Sequence, residues 1–67
     1  TDVTKKIKEA FKRSADVDSS KITVESRNGT VVLKGSVRSW AERRDAENAA
    51  WAAPGVMQVD DRLAVAL

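Results

Sequence analysis

Ile22-Thr23-Val24-Glu25-Ser26-Arg27-Asn28-Gly29-Thr30-Val31-Val32-Leu33-Lys34-Gly35-Ser36-Val37 is the stretch that decides the architecture. Ile22, Val24 and Ser26 alternate with Thr23, Glu25 and Arg27, and Val31, Leu33, Gly35 and Val37 alternate with Val32, Lys34 and Ser36. That period of two is the signature of strands with one face turned to a core. Asn28-Gly29 between the runs tolerates the positive φ angles of a type I′ turn, so the pattern predicts a hairpin over 21–37. Gly35 leaves a gap on the inward face, which lets a helix approach or marks a bulge.

Helical spacing flanks the hairpin on both sides. Val3, Ile7, Ala10, Phe11 and Ser14 fall within one arc at about 100° per residue, predicting a helix over 2–15 with Thr1 or Asp2 as its cap. A polar turn follows, Asp16-Val17-Asp18-Ser19-Ser20, with Val17 as a possible apolar anchor. Ser39-Trp40-Ala41-Glu42 reads as a capping box opening a second helix over 40–53, which Pro54 and Gly55 end. Val59, Asp61, Leu63, Val65 and Leu67 then alternate with polar or small residues, predicting a third strand over 58–66. The order is α-β-β-α-β. Three strands need a cover for their apolar face and two amphipathic helices are the candidates. The expected fold is an α+β two-layer sandwich: a three-stranded sheet with both helices on one face. The other face shows Thr23, Glu25, Thr30, Val32, Lys34, Ala64 and Ala66, a mixture that tolerates water.

Sixty-seven residues, 42% apolar and 33% charged, make one domain spanning 1–67 with little room for an elaborate active site. The lack of an initial methionine suggests a piece of a longer protein. No cysteine is present, so neither disulfides nor thiolate metal sites are available, and no apolar run is long enough to span a bilayer. Without His or Cys the commonest bases and thiol nucleophiles are missing, and no P-loop or other cofactor motif occurs, so no catalysis and no cofactor are expected. The net charge of +2 is unevenly spread. Residues 1–15 carry Lys5, Lys6, Lys8, Lys12 and Arg13 against Asp2 and Glu9, whereas 39–67 carry Arg43, Arg44 and Arg62 against Glu42, Asp45, Glu47, Asp60 and Asp61. The first helix is therefore the cationic end. The asymmetry is much weaker than the basic stripe of a nucleic-acid binder, and neither a Gly-x-x-Gly loop nor stacking aromatics on the strands are present.

The ordered set Ile22-x-Val24, Asn28-Gly29-x-Val31-x-Leu33-x-Gly35-x-Val37, Glu42-Arg43, Ala46-Glu47-x-x-Ala50 and Gly55-Val56-x-x-Val59-x-x-x-Leu63-x-Val65 resembles the BON domain over essentially the whole chain. The resemblance implies a non-enzymatic binding role at phospholipid or beside envelope proteins, with neighbouring BON domains as possible partners. It also implies a periplasmic or envelope location, with the cytoplasm left open. It carries over no catalytic residues.

The residues offer their own candidates. Lys5, Lys8 and Lys12 share one edge of helix one, with Lys6 and Arg13 on the other, a pattern suited to an anionic surface. Burial of the apolar stripe with the lysines as its solvated rim is the simpler reading, and it leaves the lysines able to meet phosphate headgroups. In helix two, Ala46, Ala49, Ala50 and Ala53 supply a core face, while Trp40, Arg44, Glu47 and Trp51 form a separate stripe suited to a headgroup or partner interface. Indoles bridging the helices at the core margin are weighed slightly above exposure, with Trp40 the better candidate to be exposed. Attachment to anionic phospholipid through Lys5, Lys8, Lys12, Trp40, Arg44 and Trp51 leads. Docking of a protein or adjacent copy through the sheet face and Trp51 is the alternative. A cation or small ligand at Asp16, Asp18, Asp60 or Asp61 comes third.

Overall fold

The structure, a computed structural model, describes residues 2–15 and 17–66. Its elements follow the expected order: α1 (Asp2–Arg13), a 3-10 turn (Ser19–Lys21), β1 (Ile22–Arg27), β2 (Thr30–Val37), α2 (Trp40–Ala52) and β3 (Gln58–Val65). Thr1, Asp16 and Leu67 lie outside the described residues, so the capping role offered to Thr1 and the inward phase assigned to Leu67 do too. Asp2 lies within the first turn of α1.

The sheet order is β1-β2-β3. β1 and β2 pair antiparallel, with Val24 opposite Leu33, around a turn in which Asn28 and Gly29 have φ of 51° and 84°. β2 and β3 pair parallel, with Leu33 beside Asp61 and Gly35 beside Leu63. A parallel pair needs a crossover, and α2 supplies it across the same face of the sheet that α1 covers. Gly29 fixes where the crossover returns, because its carbonyl accepts from the N–H groups of both Met57 (2.8 Å) and Gln58 (3.2 Å).

The core is continuous through both layers. Ile7 and Phe11 of α1, Ala46 and Ala50 of α2, and Val31 and Leu33 of β2 have no exposed surface, and Val17, Ile22, Val24, Val37 and Leu63 complete the cluster. Val17 is thus the anchor that its position in a polar turn suggested. Turning it inward ends the helix at Arg13, two residues earlier than expected. Alanine at 46 and 50 seats α2 close on the strands, and the Thr4 hydroxyl meets that of Ser26 at 3.1 Å, tying α1 to β1. Ala53 is extended (φ −71°, ψ 140°), as the following proline requires, and closes α2 at Ala52.

Two local expectations are corrected. Ser39 caps α2 by accepting from the Glu42 N–H at 3.1 Å, but the Glu42 side chain does not reach back to complete a capping box. It turns inward, 2% exposed, and accepts from the N–H groups of Arg38 (2.7 Å) and Asp18 (2.9 Å). The gap at Gly35 admits the Lys21 carbonyl where the chain enters β1, and not a helix.

Candidate functional site

Both tryptophans are exposed, Trp40 by 61% and Trp51 by 48%, and neither lines the cleft between the helices, so the reading of indoles bridging the helices at the core margin gives way to exposure. They sit at the two ends of the α2 stripe, about 16 Å apart along the axis, with exposed Arg44 between them. A shallow pocket of about 240 Å³ is lined by Trp40, Arg43, Arg44, Glu47 and Asn48. Lys5, Lys8 and Lys12 are exposed along α1, and among the described residues none of them is in an ion pair.

The six candidate residues do not form a single patch. The cleft between the helices is lined by Lys6, Ala10 and Arg13 of α1, by Ala49 and Ala52 of α2, and by Ala53 just past its end. On each helix the candidate stripe lies roughly 130° around the axis from that cleft. The lysines therefore flank the layer on the β1 side and the indoles flank it on the β3 side. Lys5, Lys12, Arg44 and Trp51 nevertheless all project away from the sheet. The two groups share one outer face with the cleft between them.

A polar cluster under the indole stripe was not foreseen. Asp61 falls on the inward phase of β3 and is nearly buried, its side chain 9% exposed. Its Oδ1 accepts from the Leu63 N–H at 3.0 Å and its Oδ2 lies 3.1 Å from Arg43 Nε. The Arg43 and Asp61 atoms of that contact have no hydrogen-bond partner, so charge rather than an aligned N–H···O bond holds the pair. The Arg43 guanidinium also stands 5.5 Å from the centroid of the Trp40 ring, a cation–π distance that couples the exposed indole to the buried acid. Glu47, one turn along α2, lies near the Asp61 carboxyl. A proton shared with that neighbour, burial and the negative charge of Asp61 raise the Glu47 carboxyl above its ordinary range. The signal available in sequence was Asp61 itself, an acid on the apolar phase of a strand. Its partners depend on which helix turn lies over it.

This predicts a stabilising substitution. At neutral pH Glu47 and Asp61 repel each other, so Glu47→Gln is expected to stabilise the fold on the order of 0.5 kcal/mol, about 2–4 °C in Tm. A raised folded pKa means the folded state gains protons first as pH falls. The advantage of the variant should therefore close between the raised value and the ordinary glutamate value near 4.3. Thermal melts at pH 7 and about pH 4 check the sign.

The acidic pairs do not converge on a cation. Asp60 points to the open sheet face, where its Oδ2 accepts from Arg62 Nε at 2.9 Å, while Asp61 points inward. Asp18 Oδ1 accepts from the Ser20 hydroxyl (2.6 Å) and N–H (3.1 Å), and these bonds hold its carboxyl below the usual range. Asp16 lies outside the described residues. Among the described residues no group of three or more acidic, His or Cys side chains is placed to hold a metal ion.

The family model described as "BON domain" matches residues 1–66. The chain belongs to the BON domain family. No curated protein matches it. BON domains are binding modules of envelope and osmotic-stress proteins and are not known as catalysts, which agrees with a surface whose distinctive features are exposed indoles and cations. No helix of this BON domain, among the described residues, is long and apolar enough to cross a membrane.

Proposed function

We propose that this BON domain attaches to anionic phospholipid surfaces at the bacterial envelope through the outer side of its helix layer. The observation that carries the reading is the exposure of both indoles on a helix whose core face is already made by alanines. Indole has an apolar body and one N–H donor, which suits the headgroup region, and Arg44 beside it suits phosphate. Lys5, Lys8 and Lys12 add long-range attraction from the other flank, each worth about 1 kcal/mol near an anionic surface. The domain lies on the surface rather than entering it, because Ile7 and Phe11 are fully committed to the core.

Vesicle co-sedimentation tests this directly. The domain should pellet with phosphatidylglycerol-containing vesicles, fail to pellet with phosphatidylcholine alone, and be released by salt. Replacing Lys5, Lys8 and Lys12 together by Gln should weaken partitioning by about 100-fold, from three contributions of about 1 kcal/mol each. With no tyrosine in the chain, the emission of Trp40 and Trp51 reports the interface, and it should shift to the blue on binding. Equal recovery with both vesicle types, or an unshifted emission, would remove the proposal.

A further inference from the structure

The sheet face that the helices leave open is arranged in charged rows. The register sets Thr23, Lys34 and Arg62 side by side across the three strands, and the adjacent row on the same face is Glu25, Val32 and Asp60. The four charged side chains are accessible, Glu25 by 58%, Lys34 by 47%, Asp60 by 38% and Arg62 by 62%. Within the chain each acid meets a cation of the next row, Glu25 with Lys34 at 3.6 Å and Asp60 with Arg62 at 2.9 Å. A cationic band and an anionic band therefore run side by side about 7 Å apart, two residues along a strand. The next rows outward are uncharged at their centres, Thr30 and Gln58 on one side and Ser36 and Ala64 on the other, with Arg27 at the rim.

We propose that this face docks a second copy of the chain, sheet against sheet, about a two-fold axis lying parallel to the rows and midway between them. Such a rotation keeps each strand over its own counterpart and exchanges the rows. Asp60 of each copy then meets Arg62 of the other, and Glu25 lies diagonal to Lys34. The other in-plane axis, along the strands, lays the cationic row over the cationic row and the anionic row over the anionic row, so like charges reject it and the rows select one arrangement of the two. Val32, Ser36 and Ala64 are short enough for the sheets to approach to about 10 Å. Three strands of this length cover on the order of 400 Å² per copy, well below the roughly 800 Å² of a stable complex, so association is weak, with Kd around the millimolar range. This surface is separate from the helix layer, and the proposal stands or falls independently of lipid attachment.

Amide spectra of the whole chain test it. Shifts at Glu25, Val32, Lys34, Asp60 and Arg62 should grow with concentration from about 0.05 to 2 mM, and salt should suppress them. The charge-swapped variants K34E/R62E and E25K/D60K, checked for folding by circular dichroism, should each lose the concentration dependence. Mixed one to one they should regain it, because each then presents the other with opposite bands. An invariant parent spectrum, self-association retained by either variant, or a mixture showing no mutual shifts would each overturn the proposal.

Discussion

Gly35→Ala is expected to cost a large share of the fold's stability. Gly35 has φ of +126°, a conformation that costs an L-residue about 1–3 kcal/mol. A Cβ there would stand 2.0 Å from the Lys21 carbonyl oxygen and 3.2 Å from Ile22 Cα, so the backbone entering β1 would have to move. Nothing flexible can yield, because Ile22 pairs with Gly35 in the sheet and is itself buried. Strain and clash together should cost on the order of 4 kcal/mol, against a total stability of about 3–10 kcal/mol for a domain of this size. Urea denaturation followed by circular dichroism gives the measurement. Gly55→Ala is the matched control, since Gly55 also has positive φ (+84°) but open space around its missing Cβ. That variant should lose only about 1 kcal/mol. Equal effects at the two glycines would mean that the close approach at Lys21 is not what Gly35 serves.

Glu42→Ala should be the next most damaging change, costing about 2–5 kcal/mol. The carboxylate joins the start of α2 to two separate loops by accepting from the Arg38 and Asp18 N–H groups, and its removal leaves both donors without an acceptor. The Arg38 guanidinium, at 3.3 Å, contributes less because its side chain is 63% exposed and can turn to water. Glu42→Gln keeps the shape and one good acceptor but should still lose stability, since its amide group would face an N–H donor. The pH profile separates charge from shape. Burial pushes the Glu42 carboxyl up, but the bonds from Arg38 and Asp18 outweigh it and hold it below the ordinary range. A lowered folded pKa gives stability that is present above the unfolded value near 4.3 and lost as pH falls through the folded one. The parent should therefore weaken at acid pH, and Glu42→Gln should show a flatter profile there. Glu47 works in the opposite sense, so Glu42→Gln and Glu47→Gln should diverge at neutral pH and converge in acid.

The open sheet face and the stripes on the two helices follow from local periodicity, which is why they are legible in the sequence. Period two on the strands and about 3.6 on the helices assign each side chain to a face from its nearest neighbours in sequence. Asn28-Gly29 and Ala53-Pro54 act through their own φ and ψ angles, so the hairpin and the end of α2 were equally accessible. Glu42 misled because a capping box and an inward-turned acid share one local pattern. What distinguishes them is whether the Asp18 N–H, 24 residues away, comes within reach.

By itself the sequence determined the α-β-β-α-β order, the hairpin, the apolar faces and the family, because each rests on short-range backbone preference or on residues read in order. The tertiary structure alone decided that β3 lies parallel beside β2, that Asp61 finds Arg43 and Glu47 above it, and that both indoles stay in solvent. It also decided that the lysines and the indoles occupy opposite flanks of one helix layer. Those facts depend on how the layers are rotated and packed against each other, and that rotation is set by the summed burial of the whole core, which no local stretch of residues records.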